Sequence, residues 1–120
     1  MAATKIYVYG FSGHGGVVAD AARACGYGEV GFLDDAKLDG KNVLKFDPSL
    51  EKADVIVAIG DNKIRRILQE RVKNAGFRVA HLIHPSAVVS KSAQIGEGAV
   101  VMPNAVINAR AVIGEGAIIN

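Results

Sequence analysis

A strict six-residue repeat dominates the C-terminal part of the chain. Alanine recurs at every sixth position, and a β-branched residue follows each alanine by two positions. The alanines are Ala87, Ala93, Ala99, Ala105, Ala111 and Ala117, and the β-branched residues are Val89, Ile95, Val101, Ile107, Ile113 and Ile119. Short repeats of this kind bury their apolar face only by stacking on one another. The hexad therefore predicts a parallel β-helix.

A second period of eighteen residues lies on top of the hexad, since residues 94–101 (QIGEGAVV) return as residues 112–119 (VIGEGAII). Three hexads thus make one turn of a three-sided coil, and residues 84–120 give the first two coils or so. Two coils leave an open edge of backbone groups and aliphatic side chains. We therefore expect the front portion of a longer protein. A complete protein whose last coil is covered by another chain is the alternative.

Charge divides the chain near His84 and Pro85. Of the 14 basic and 12 acidic side chains, only four follow residue 83, namely Lys91, Glu97, Arg110 and Glu115. This shift in composition predicts a first domain over residues 1–83 and the start of the β-helix domain over residues 84–120.

Composition also excludes several classes of function. The net charge of +2 is too small to indicate nucleic acid or an anionic membrane as a partner. No apolar run approaches the ~18–20 residues of a membrane span, and the N-terminus has no apolar signal core. The one cysteine cannot form an internal disulfide, which fits a cytoplasmic protein.

Strand and helix patterns alternate through the first domain. Strands are predicted at Lys5–Tyr9, Glu29–Leu33, Val55–Ile59 and Phe77–Ile83, and helices at Val17–Cys25 and Lys63–Asn74. Residues 36–47 predict a loop or a short edge strand. This order, with short connections, predicts a small parallel α/β sheet of the Rossmann type.

A glycine-rich turn, residues 10–16 (GFSGHGG), joins the first strand to the first helix. Glycines let a backbone approach phosphates closely, and a helix N-terminus presents N–H groups to an anion. The turn thus predicts a phosphate site in which Ser12 and His14 donate hydrogen bonds. Its spacing, Gly-x-x-Gly-x-Gly, is not the dinucleotide fingerprint. A tight strand-to-helix turn, with Ser12 capping the helix and His14 in solvent, is the alternative.

Acidic and polar residues end the next two strands. Asp34 and Asp35 lie about twenty residues past the turn, where an acidic side chain meets a ribose hydroxyl in nucleotide-binding folds. A solvated turn is the alternative. Residues 60–62 (GDN) end the third strand on the same edge, with Asp61 as a candidate helix N-cap. Arg65, one turn further on, has room to face a phosphate.

The remaining reactive side chains give weaker signals. Arg66 and Arg71 are expected on a solvated face of the second helix. His81 and His84 would point to opposite faces of an extended segment, which argues against a shared metal site. Cys25 has no evident base partner, so we expect a small helix residue rather than a nucleophile.

Four stretches together resemble one known family. They are residues 7–15 (YVYGFSGHG), residues 32–35 (FLDD), residues 58–62 (AIGDN) and the hexads from His84 onward. In these stretches and their order the chain resembles the bacterial sugar O- and N-acetyltransferases of the sialic-acid and bacillosamine pathways, in particular the UDP-4-amino-sugar N-acetyltransferases. The resemblance covers the whole chain.

The resemblance implies a Rossmann-like domain that binds the nucleotide sugar. It also implies a left-handed β-helix that forms a homotrimer and binds acetyl-CoA between subunits. Ser12 to Gly15 would lie at the diphosphate, and Asp34 and Asp35 near the uridine. The substrate-binding residues implied are Gly10, Ser12, Gly13, His14, Gly15, Asp34, Asp35, Gly60, Asp61, Asn62 and Arg65.

In this family the general base is a histidine, which we expect beyond Asn120. Asn120 itself matches an asparagine that lines the active site. The 120 residues alone are therefore expected to be inactive or nearly so. Two other functions stay open. The acidic pair suggests a non-catalytic nucleotide-binding module that uses NAD, and the coils suggest a trimerisation module.

Overall fold

The computed structural model describes residues 4–36 and 43–120. The first domain contains β1 (Lys5–Tyr9), α1 (Gly13–Ala24), β2 (Glu29–Leu33), β3 (Val43–Leu44), β4 (Asp54–Val57), α2 (Asn62–Asn74) and β5 (Arg78–Val79). Seven two-residue strands follow, β6 (Leu82–Ile83), β7 (Val88–Val89), β8 (Gln94–Ile95), β9 (Val100–Val101), β10 (Val106–Ile107), β11 (Val112–Ile113) and β12 (Ile118–Ile119).

A five-stranded parallel sheet organises the first domain, in the order β3-β2-β1-β4-β5. This is the strand order of the Rossmann fold, with the order reversing between β1 and β4. Every residue of β4 is buried, as expected for an aliphatic strand covered on both faces. One face packs on α1 and the other on α2.

The second part of the chain is the three-sided coil that the eighteen-residue period predicts. Val88 pairs with Val106, Gln94 with Val112, and Val100 with Ile118, each pair eighteen residues apart. The β-branched residues of the hexad form its apolar interior.

One side of the coil packs against the first domain. Leu82 and Val100 point outward from β6 and β9, yet each is only 1% exposed because it joins the cluster beneath α1. Burying such a side chain contributes about 1.5–3 kcal/mol. On the other two sides Val88, Val106 and Val112 stay more than half exposed.

Several element boundaries differ from the sequence prediction. The strand predicted over Phe77–Ile83 is wrong, because the chain leaves the sheet after β5 and its next two-residue strand, β6, pairs with β9 of the coil. Residues 82 and 83 therefore lie on the coil side of the predicted division at residue 83. Helix α1 begins at Gly13, four residues before its predicted start. The edge strand expected within residues 36–47 is β3, and residues 37–42 of that stretch lie outside the described residues.

Within the described ranges, no helix is long and apolar enough to cross a membrane. The same residues contain no group of three or more histidine, cysteine or acidic side chains that could hold a metal ion.

Candidate functional site

The glycine-rich turn lies where the carboxyl ends of β1 and β4 meet. Gly10 has a φ of +133°, and a Cβ there would lie 2.6 Å from the carbonyl oxygen of Ala58. A Cβ on Gly15 would collide with the carbonyl oxygen of Gly10. Only glycine lets the first turn of α1 approach the end of β1 this closely. The N-terminal amides of α1 consequently face the edge at which ligands bind in open α/β sheets.

His14 lies in this first helical turn. Its Nε2 atom is buried and has no hydrogen-bond partner among the described residues. Burial, together with the nearby charge of Arg65, lowers the pKa of the imidazole and so favours its neutral form. Because buried polar atoms are normally paired, this nitrogen is a candidate contact for a ligand. Ser12 is exposed and caps α1 without a side-chain hydrogen bond.

Asp34 joins the end of β2 to the glycine-rich turn. Its Oδ2 accepts a hydrogen bond from the Phe11 amide at 3.0 Å, and its Oδ1 accepts one from the Ala36 amide at 2.9 Å. The Phe11 ring packs edge-on against Phe32, with centroids 5.0 Å apart. The Asp34 carboxylate therefore lies at the predicted edge and also fixes the shape of the turn.

Asp35 makes contacts that differ from those of Asp34. The Tyr9 hydroxyl donates to its Oδ2 at 2.6 Å, and Arg71 Nη1 donates to the same oxygen at 2.9 Å. Burial raises the pKa of Asp35, but the hydrogen bonds from Tyr9, Phe46 and Arg71 outweigh it and hold that pKa below its usual range. Arg71 thus lies on an exposed face of α2, as expected, and in addition pairs with Asp35.

A small cavity of about 200 Å³ opens between these carboxylates and α2. Its lining is Tyr9, Gly10, Asp34, Asp35, Ala36, Ile59, Ile64 and Leu68. Three of the predicted residues, Gly10, Asp34 and Asp35, are therefore brought together here. Tyr9, Ile64 and Leu68 were not predicted. The four-residue spacing of Ile64 and Leu68 was the available signal, because it places both on one face of a helix.

Arg65, which the sequence predicted to have room to face a phosphate, is buried among backbone and amide oxygens. It is 8% exposed. Its Nη1 donates to the carbonyls of Ile59 and Gly60 at 2.8 and 3.2 Å, its Nη2 to Asn62 Oδ1 at 2.7 Å, and its Nε to the Gly116 carbonyl at 2.7 Å. Asp61 is the N-cap of α2, as predicted, and its Oδ1 accepts from the Ile64 amide at 2.9 Å.

A larger cleft of about 700 Å³ lies between α2 and the second coil. Its lining is Asn62, Arg65, Arg66, Gln69, Glu70, Glu115, Gly116, Ala117 and Ile118. Of the predicted residues, Asn62 and Arg65 reach this cleft. Gly13 lies at the open start of α1, and Asn120 is exposed beyond β12. The predicted residues therefore do not form one pocket: some line the small cavity, some line the larger cleft, and others lie at the start of α1 or at the end of the second coil.

Comparison with known families matches residues 5–72 to the PglD N-terminal domain and residues 92–120 to the bacterial transferase hexapeptide repeats. The first match covers more than half of the chain. The chain belongs to the PglD N-terminal domain family. Its fold is this N-terminal domain followed by the start of a left-handed β-helix.

Individual relatives include acetyltransferases. Over 47 residues the chain is 51% identical to UDP-N-acetylbacillosamine N-acetyltransferase of Bacillus subtilis, a stretch that covers 39% of this chain and 22% of that protein. A crystal structure of PerB from Caulobacter crescentus with CoA and GDP-perosamine has a TM-score of 0.88 and 40% identity. The acetyltransferase domain of PglB from Neisseria gonorrhoeae with acetyl coenzyme A has a TM-score of 0.86 and 43% identity.

The two structures extend beyond this chain. The alignments cover 99% of the chain but only 61% of PerB and 62% of the PglB domain. The chain therefore spans about three fifths of the length of these relatives.

Proposed function

We propose that this chain forms the nucleotide-sugar-binding part of an acetyl-CoA-dependent acetyltransferase that acts on a UDP-linked 4-amino sugar. One observation carries the proposal, namely the small cavity that Gly10 and Asp34 close at the switch point of the sheet, next to the N-terminus of α1. The relatives support it, since their substrates and ligands are nucleotide amino sugars and CoA.

The site residues take distinct roles in this proposal. The nucleoside enters the small cavity, with Asp34 and Asp35 at its rim and the aliphatic side chains of Ile59 and Ile64 against the base. The diphosphate lies along the first turn of α1, where the backbone amides and His14 Nε2 donate to its oxygens. The sugar then extends toward Asn62 and the larger cleft.

The proposed reaction is attack of the sugar amine on the thioester carbonyl of acetyl-CoA. A base removes the amine proton, backbone N–H groups stabilise the oxyanion, and CoA leaves as the thiol. The described residues contribute binding and orientation of the acceptor. The role of base is not assigned to His84, because its Nδ1 already contacts Ser86 in a coil corner. Asn120 is proposed to line the reaction site.

The substrate assay is an acetyl-transfer reaction with the full-length protein. Acetyl-CoA and a UDP-4-amino sugar are mixed with the enzyme, and the free CoA thiol is followed with a colorimetric reagent. We expect one thiol released for each sugar acetylated, and no release when the 4-amino group is replaced by a hydroxyl. The absence of transfer to every UDP-amino sugar tested would contradict the proposal. We place the reaction in the cytoplasm, where Cys25 stays reduced.

A homotrimer is part of the proposal, and the exposed valines of the coil are the surface that would form it. Val88 and Val106 are 65% and 64% exposed and stack directly on one another. Changing both to glutamate is expected to weaken self-association at least about tenfold, because a buried unpaired charge is strongly unfavourable. Sedimentation velocity measures this. Leu44→Glu, at an exposed aliphatic residue of the edge strand β3, is the matched control, and an equal loss in both variants would contradict the assignment.

A further inference from the structure

Helix α2 lies along one corner of the β-helix through three residues spaced four apart. Lys73 Nζ pairs with the Glu97 carboxylate at 2.9 Å, and Gln69 Nε2 donates to the Glu97 carbonyl at 3.4 Å. One turn nearer the helix N-terminus, Arg65 Nε donates to the Gly116 carbonyl at 2.7 Å. Because Gly98 and Gly116 are one coil apart, the helix follows this corner from the first coil to the second.

Glycine suits the corner that α2 approaches, because it adds no Cβ beside Gln69. A Cβ on Gly98 would collide with Gln69 Oε1, and a Cβ on Gly116 would lie 3.3 Å from the same oxygen. Both glycines have positive φ, +74° and +70°. The Gly-Glu-Gly sequence that repeats at residues 96–98 and 114–116 thus serves the docking of α2 as well as the turn of the coil.

Of these three residues of α2, Arg65 also contacts the segment 59–62, which follows β4 at the carboxyl edge of the sheet where the ligand is proposed to bind. Its guanidinium makes four hydrogen bonds, three to the segment 59–62 and one to the second coil. Every acceptor is a carbonyl or amide oxygen, and no carboxylate among the described residues pairs with the guanidinium. The rigid fork of arginine can satisfy acceptors in several directions at once, which a lysine ammonium cannot do with the same geometry.

We infer that Arg65 is a positioning residue, and not a phosphate ligand, that locks the second coil at Gly116 onto the ligand edge of the sheet at Ile59 and Gly60. The inference deepens the proposed function and rests on it, because Ile59 lines the small cavity while Gly116 lines the larger cleft. The guanidinium would thereby hold the nucleoside end and the sugar end of the acceptor site at one fixed separation.

Two measurements on the 120-residue chain test this inference. Calorimetry gives the dissociation constants of UDP and of uridine, which lacks phosphate, and amide hydrogen exchange follows Gly116 in the coil and Val8 in the central strand β1. The variants are Arg65→Lys and Arg65→Gln. Lys63→Gln is the matched control, because Lys63 lies in the same turn of α2, is exposed, lines neither cavity, and makes no hydrogen bond or ion pair with the described part of the chain.

Both Arg65 variants are expected to speed exchange of the Gly116 amide about tenfold while exchange at Val8 is unchanged. They should weaken the binding of UDP and of uridine by the same factor, so that the ratio of the two dissociation constants stays constant. Lys63→Gln should change neither quantity. If Arg65→Gln fails to fold, Arg65→Lys carries the same comparison.

A phosphate contact would give the opposite pattern. Arg65→Gln would then weaken the binding of UDP but not that of uridine. Arg65→Lys would keep the affinity for UDP through its charge, and amide exchange at Gly116 would not change. Equal acceleration of exchange at Val8 and Gly116 would also overturn the inference, because it would mean general destabilisation. If the unmodified chain binds neither ligand, the proposed function fails, and the exchange data alone decide the role of Arg65.

Discussion

Changing Gly15 to alanine is expected to lower the free energy of unfolding by about 3 kcal/mol, which is at the upper end for overpacking. The added Cβ would collide with the Gly10 carbonyl oxygen and lie 3.0 Å from its carbon. These are backbone atoms, and Gly10 is itself pinned by its hydrogen bond to the Leu33 carbonyl at 2.7 Å. The turn therefore cannot yield without displacing the end of β1, and nucleotide affinity should fall with stability.

The control for this substitution is the next residue along the helix. A Cβ on Gly16 would meet nothing within 4 Å. Because alanine suits a helix interior better than glycine, Gly16→Ala should be neutral or stabilise by roughly 0.5–1 kcal/mol. Urea denaturation of both variants measures the difference. Similar unfolding free energies for the two would show that the close approach of α1 to β1 is not as described.

Changing Gly98 to alanine should destabilise the junction of the two domains by about 3 kcal/mol, through a steric clash and backbone strain together. The added Cβ would collide with Gln69 Oε1, and the φ of +74° is one that alanine rarely adopts. Gln69 is buried, 6% exposed, and its Nε2 donates to the Glu97 carbonyl at 3.4 Å, so a shift of this side chain would give up that contact.

A double-mutant cycle separates the two causes. In a Gln69→Ala background the clash is gone, and the same glycine substitution should cost only the left-handed strain of about 1–2 kcal/mol. Gly114→Ala is the control in the same repeat, since a Cβ there would meet nothing within 4 Å and its φ is not positive. Additive effects of the Gly98 and Gln69 changes in thermal or urea unfolding would contradict the docking of α2 on this corner.

The sequence predicted the parts of the fold that depend on local periodicity. The hexad specifies both the coil and its eighteen-residue register, because each inward β-branched side chain stacks on its counterpart one turn away. The strands Lys5–Tyr9 and Glu29–Leu33 were predicted with their observed bounds. The single strand predicted over residues 77–83 is wrong, because a run of strand-forming residues does not reveal that its two halves belong to different sheets.

The type and chain position of the candidate site residues could be predicted from the sequence, but the hydrogen-bond and ion-pair partners of their side chains could not. Glycines and carboxylates at strand ends predicted the edge that Gly10 and Asp34 occupy. The sequence could not show that Arg65 would turn back to the Gly116 carbonyl, 51 residues away, or that Arg71 would pair with Asp35. Both contacts depend on how α2 packs against the rest of the molecule.

The measurement that tests the central claim most directly is a calorimetric titration of this chain with UDP, with NAD as the competing ligand. The account predicts that UDP binds with one-to-one stoichiometry and that NAD neither binds nor displaces it. Tight binding of NAD without binding of UDP would contradict the account and would make the first domain a dinucleotide-binding module.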